Sequence, residues 1–151
     1  MPSRGTKPSL EVGAVEPISR PVVHVAMATF NGRRWIEAQV RSIFRQEDVD
    51  VRLVVSDDGS TDGTLEWLQG LAQRDSRVTV LPPRKGESGV GENFLYAFVN
   101  ASPTSGEYVA FSDQDDLWRP DKLKRQVALI NELGVDAVLR YSPCRTSPPS
   151  A

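Results

Sequence analysis

The sequence predicts an α/β fold, a mostly parallel sheet flanked by helices and truncated at its C-terminal end. Three observations carry this. Short apolar runs of five to seven residues alternate with longer stretches of helical period. Polar clusters follow three of those runs, where the loops of a parallel sheet would emerge. The alternation stops near residue 139, ahead of a tail with three prolines.

The elements follow in order. Residues 1–20 are rich in Pro, Ser, Gly and Arg without a period, and read as a flexible leader. "VVHVAMA" (22–28) is a strand apolar enough to be buried on both faces. "NGRRWIEAQVRSIFRQ" places Ile36, Val40, Ile43 and Phe44 at helical spacing, with arginines on other faces. "VRLVVS" (51–56) is a second strand, and the turn "DDGSTDG" leads into a helix carrying Leu65, Leu68 and Leu71. "RVTVL" (77–81) is a third strand, "PPRKGESGVGE" (82–92) a loop and "NFLYAFVNA" (93–101) a short helix. "EYVAFS" (107–112) is a fourth strand. In the helix "RPDKLKRQVALINEL", Pro120 suits the first turn, where the missing N–H is harmless, and Gly134 ends it. "VDAVL" (135–139) reads as a fifth strand, and 140–151 as an irregular tail. Strands alternating with helices imply parallel pairing through crossovers.

Composition excludes several classes. A net charge of −2 leaves no nucleic-acid footprint. No apolar run approaches the roughly 18 residues of a membrane span. The N-terminus lacks the apolar core of a signal peptide. A single cysteine, Cys144, rules out an intramolecular disulfide and fits a reducing compartment. The one histidine, His24, lies within an apolar run, so it reads as a strand residue with a satisfied ring. Zinc held by His and Cys is excluded in practice, and no Gly-rich dinucleotide fingerprint or P-loop occurs.

The polar clusters carry the chemistry. In "TFNG" (29–32), Thr29 or Asn31 suits a helix cap, and Phe30 an apolar wall for a flat ring. In "DDGSTD" (57–62), Ser60 or Thr61 suits a cap, and one aspartate an Asx-turn. The other of Asp57 and Asp58 is then free to accept from a nucleobase N–H or a ribose hydroxyl. In "DQDD" (113–116), like charges repel at the end of a buried strand unless a cation lies between them. Magnesium takes one or two carboxylates and completes its shell with water and substrate phosphate. A solvated acidic turn is the plainer reading, and Asp116 suits it best. The glycines of "GESGVGENF" (86–94), with Arg84 and Lys85 nearby, give a weak anion site at a helix N-terminus. Trp35, Trp67 and Trp118 read as packing residues. Lys122, Lys124 and Arg125 read as a solvated face.

Taken together, "VAMATFNGRRWIEAQVRSI", "VVSDDGSTDGTLEWL", "GVGENFLYA" and "YVAFSDQDDLWRPDKL" resemble the N-terminal part of a family 2 glycosyltransferase with the GT-A (Rossmann-like) fold, over about residues 22–139. "FSDQDDLW" is similar to rhamnosyltransferase-like members. The resemblance implies a nucleotide-diphosphate sugar donor (dTDP- or UDP-linked, with rhamnose among the sugars), Mg2+ or Mn2+, and an inverting transfer to a glycan or lipid-linked acceptor. It implies that Thr29 and Phe30 flank the base, that an aspartate of the Asp57–Asp58 pair binds base and ribose, and that Gly89 and Asn93 lie against the nucleotide. Asp113 and Asp115 would form the D-x-D, with Asp115 touching the metal. It also implies a cytoplasmic protein of polysaccharide biosynthesis, at the inner face of the membrane through its partners.

Members of the family continue further, into an acceptor site with a general base. Here the pattern stops, and nothing after Leu139 is a persuasive base. The expectation is a donor-binding part, 21–139, of a shortened transferase whose sheet leaves apolar surface exposed. A non-catalytic nucleotide- or partner-binding module stays open as an alternative, as does another α/β enzyme with acidic metal ligands.

Overall fold

Four strands and four helices alternate along the chain in the computed structural model, which describes residues 19–86 and 88–135. They are β1 (Val22–Thr29), α1 (Arg33–Phe44), β2 (Asp50–Asp57), α2 (Thr64–Arg74), β3 (Val78–Val80), α3 (Val90–Ala101), β4 (Tyr108–Ser112) and α4 (Lys122–Leu133). The strands form one parallel sheet in the order β3-β2-β1-β4. Parallel pairing is the expected one, because a helix separates each strand from the next.

β1 sits between β2 and β4, paired on both edges, and every residue from Val23 to Thr29 is buried. Its alternation splits the core into two layers. Val23, Val25 and Met27 join Leu53 and Val55 of β2, Ile36, Val40 and Ile43 of α1, Leu68 of α2, and Leu123 and Val127 of α4. On the other face, Ala26 and Ala28 are buried, as are Ala97 and Ala101 of α3, which packs across β1 and β2. Small residues on both sides let that helix approach the sheet closely.

His24 is the polar residue of that second layer. Its Nε2 lies 2.9 Å from Glu107 Oε2, so the ring is satisfied as expected. A backbone N–H from Thr104, then the His24 ring, hold the Glu107 carboxyl below its ordinary range.

Several local readings need correction. α3 begins at Val90, three residues earlier than periodicity suggested, with Gly89 in extended backbone before it. Pro120 lies ahead of α4 rather than in its first turn, since Asp121 is the cap position; the Pro120 carbonyl accepts from Glu47 N–H at 2.9 Å. Gly134 does end α4, in the left-handed region at φ 60°. Neither Thr29 nor Asn31 caps α1, and neither Ser60 nor Thr61 caps α2. One carboxylate, Asp62, serves both starts, accepting from Arg33 N–H at 2.9 Å and Thr64 N–H at 3.1 Å. The Thr64 hydroxyl, then those backbone donors, hold the Asp62 carboxyl below its ordinary range. Trp35 is 44% exposed, so it is a surface residue, whereas Trp118 is core and Trp67 packs against the core. The fifth strand beyond Val135, the leader up to residue 18 and the 140–151 tail lie outside the described residues.

Among the described residues, apolar side chains are exposed at the β4 edge. Phe111 is 56% exposed and Phe98 41%, with Leu95 and Val99 beside them on α3. Ring contacts at 5.5 and 5.9 Å join Phe111 to Phe98 and Phe94.

Leu53, fully buried on a strand paired on both sides, tests this core. Leu53→Ala is expected to lower stability by about 2–5 kcal/mol in urea denaturation, the range for a buried leucine cavity. A loss under about 1 kcal/mol would mean that the layer is loosely packed.

Candidate nucleotide-binding site

The strand order decides where the loops meet. The chain steps outward from β1 to β2 and β3, then returns past β1 to place β4 on its far side. The reversal opens a crevice at the carboxyl ends of β1 and β4, the usual ligand position in such sheets. Register aligns the ends: Thr29 pairs with Asp57, and Met27 with Ser112. A cleft of about 640 Å³ lies there, lined by Ala28, Thr29, Phe30, Asp58, Ser88, Gly89, Val90, Asn93, Phe94 and Asp113 to Asp115. That volume suits a small ligand.

Every residue expected at the site except Asp57 borders this cleft. Asp57 does not line it, and its carboxylate is spent on the turn. Oδ1 accepts from Gly59 N–H at 3.1 Å and Ser60 N–H at 2.8 Å, so Asp57 is the member of the pair that forms the Asx-turn. Oδ2 accepts from the Thr29 hydroxyl at 2.7 Å and the Ser60 hydroxyl at 2.6 Å. Thr29 is therefore buried, and its side chain ties β1 to β2.

Asp58 is placed differently. Oδ1 pairs with the Arg84 guanidinium at 3.1 Å and Oδ2 accepts from Gly89 N–H at 3.0 Å. Both partners come from the segment between β3 and α3, so Asp58 holds that segment against the end of β2. Arg84 had only a weak signal in the sequence, as a basic residue in a loop. Its role depends on a partner 26 residues away.

Asn93 is buried under the cleft floor and donates from Nδ2 to the Thr29 carbonyl at 3.2 Å. Its Oδ1 accepts from the Ser56 hydroxyl. At the start of α3, the Glu92 carboxylate lies over Gly89, 2.3 Å from where a Cβ would stand. An acidic side chain already occupies that first turn, which weakens the anion-site reading of the glycines.

Phe30 is 56% exposed at the mouth of the cleft, and Phe94 lines the cleft as well. Phe94 escaped sequence reasoning because an aromatic at helical spacing looks like core. Asn31 follows at φ 47°, a left-handed conformation that Asn tolerates. Its N–H donates to Ser60 Oγ and its Oδ1 accepts from Thr61 N–H, both at 2.8 Å.

Asp113 and Asp115 border the same cleft. Burial, then the neighbouring Asp116 and Asp115 carboxylates, raise the Asp113 carboxyl above its ordinary range. Crowded carboxylate oxygens of this kind are hard donors that suit magnesium or manganese. Among the described residues no group of three or more His, Cys, Asp or Glu converges on one point. An ion here would therefore rest on one or two carboxylates and complete its shell with water and phosphate oxygens.

A family model for glycosyl transferase family 2 matches residues 24–142. The chain belongs to glycosyl transferase family 2. A dTDP-rhamnosyl transferase of Shigella flexneri, RfbG, is 40% identical over 102 residues, covering 67% of this chain and 35% of that protein. An Escherichia coli relative, WfgD, a UDP-Glc:alpha-D-GlcNAc-diphosphoundecaprenol beta-1,3-glucosyltransferase, is 32% identical, covering 72% of this chain and 41% of its own. Among solved structures, the mannosyltransferase PcManGT of Pyrobaculum calidifontis, in complex with GDP-Man and Mn2+, superposes with a TM-score of 0.59 at 28% identity, over 76% of this chain and 34% of that one. S. aureus TarS 1-349 in complex with UDP gives 0.56 at 28% identity, over 73% and 32%. The fold is thus the GT-A arrangement of this family. The chain spans about a third to two fifths of the length of these relatives. No helix among the described residues is long and apolar enough to cross a membrane.

The raised Asp113 carboxyl makes a signed prediction for the family 2 chain without metal. Its folded form holds the proton to higher pH than the unfolded chain does. Stability is therefore lost as pH rises from the ordinary carboxylate range through the raised value. Asp113→Asn is expected to raise the thermal midpoint at pH 7 in EDTA, through a stability gain of no more than about 1 kcal/mol for exposed, screened charges. The gain should shrink as pH falls through the carboxylate range. A lowered midpoint at pH 7 would contradict it.

Proposed function

We propose that the cleft binds the nucleotide-diphosphate sugar donor of a metal-dependent, inverting glycosyltransferase. The observation that carries this is the convergence of the β1, β2 and β4 loop residues with the start of α3 on one crevice. Phe30 offers an apolar face to the base. Asp58, positioned by Arg84 and Gly89, is the aspartate of the pair that accepts from a pyrimidine N–H or a ribose hydroxyl. Asp57 supports it by closing the turn: each of its oxygens already accepts two hydrogen bonds, which fills a carboxylate, whereas among the described residues each Asp58 oxygen has one partner and an acceptor position to spare. Gly89 and Asn93 hold the α3 end of the pocket against the nucleotide.

Asp113 and Asp115 would hold the cation, with Asp115 in direct contact. When bound, Mg2+ or Mn2+ supplies Lewis-acid neutralisation of the charge on a departing diphosphate. No described residue is assigned as the base that deprotonates the acceptor hydroxyl.

Similarity to a dTDP-rhamnosyl transferase supports rhamnose as the sugar and dTDP as the carrier, with UDP the second choice. Similarity to a transferase named for a diphosphoundecaprenol substrate supports a glycan or lipid-linked acceptor. A lipid-linked acceptor would fit work at the cytoplasmic face of a membrane.

The test is calorimetric titration of dTDP and UDP with and without Mn2+. Mn2+ is expected to tighten nucleotide binding. Asp115→Ala should remove that gain, about tenfold or more, while leaving metal-free affinity within about twofold. Equal metal dependence in the variant would refute the role of Asp115.

A further inference from the structure

The middle residue of "DQD" makes the most unusual contact at the site. Gln114 Oε1 accepts from Phe30 N–H at 2.9 Å, and Gln114 Nε2 donates to the Phe30 carbonyl at 2.9 Å. One side-chain amide thus pairs with both polar groups of a residue 84 positions away. Backbone pairing between β1 and β4 ends at Met27 and Ser112. The Gln114 amide links the two segments beyond that point, its donor and acceptor lying side by side in one flat group.

Gly32 shows a second, independent sign of this clamp. Its φ of −103° is open to any residue, so backbone conformation does not require glycine. A Cβ there would lie 2.2 Å from Gln114 Oε1 and 2.5 Å from Gln114 Cδ. The absent side chain leaves the space in which the amide sits.

The clamp joins two parts of the proposed site. Phe30 is the wall for the base, and Gln114 is flanked in sequence by Asp113 and Asp115. On the same strand end, Gln39 Nε2 donates to Ser112 Oγ at 2.8 Å, and Ser112 Oγ donates to the Asp113 carbonyl at 2.9 Å. The aspartate turn is therefore held from both ends.

We propose that Gln114 is a positioning residue: its amide locks the Asp113–Asp115 turn to the Phe30 peptide, so that nucleobase wall and metal carboxylates form one rigid unit, and Gly32 is glycine to admit it. This rests on the donor-site reading above. The Gln114 amide is engaged with Phe30, so it acts through the aspartates on either side. Partners of this outer kind typically change metal affinity by about 10- to 100-fold when removed.

The experiment uses the whole chain and measures the Mn2+-dependent gain in dTDP affinity by titration calorimetry. Gln114→Ala and Gly32→Ala are each expected to reduce that gain about tenfold. The double variant should be no worse than Gln114→Ala alone, because the three atoms nearest a Cβ at position 32 all belong to the glutamine side chain. Gln114→Met keeps the bulk without the hydrogen bonds, and should behave as Gln114→Ala even if the smaller residue lowers the melting midpoint. Metal-free dTDP affinity, read alongside, separates loss of positioning from general loss of structure. A full Mn2+ gain in Gln114→Ala or Gln114→Met, or additive losses in the double variant, overturns the proposal while the donor site stands. A wild-type chain whose dTDP binding ignores Mn2+ defeats the donor-site reading and this proposal together.

Discussion

Parallel pairing along both edges of β1 is the constraint on which the rest of the molecule depends. That strand is buried on both faces, and its register brings Thr29 level with Asp57 and Met27 level with Ser112. Three strands thereby release their loops at the same end of the sheet. Because β4 is added beside β1 rather than beside β3, the loops after β1 and β4 part and leave a crevice. Nothing in the loops themselves would bring Phe30, Asp58 and Asp115 to one cleft.

The rim of the crevice is stiffened by reciprocal use of short polar side chains. Asp57 closes its own turn while receiving the Thr29 hydroxyl, and Asp62 serves the starts of two helices. Asn31 donates to Ser60 Oγ and accepts from Thr61 N–H, tying the loops after β1 and β2. A buried Gln46 fastens α4 to the end of α1, accepting from Leu123 N–H at 2.8 Å and donating to the Arg119 carbonyl at 2.7 Å. Loops held this way present the remaining groups in set directions. Preorganisation of that sort spares ordering entropy when a ligand arrives.

Most of the architecture was legible in the residues. Apolar runs located all four described strands, and helical spacing located the helices, because both patterns report burial directly. Element ends were less legible. α3 starts early because Gly91 and Glu92 look like loop residues yet need no partner at a helix start, and α1 is capped by a carboxylate from the next loop. At the site, Asp113 and Asp115 stood out because crowded charge demands an explanation. Gln114 did not, since an amide beside aspartates signals nothing until its distant partner is known.

The sequence by itself determined the strand–helix alternation, the family, and which residue types are available at the strand ends. Those follow from local periodicity, turn chemistry and motif spacing, and none requires knowledge of distant neighbours. Tertiary structure alone decided that Asp57 is consumed in holding the turn while Asp58 faces the cleft, that Trp35 lies at the surface, and that Gln114 seizes the Phe30 peptide over Gly32. The reason is that each of these rests on contacts between segments dozens of residues apart, set by strand order and register rather than by any local preference.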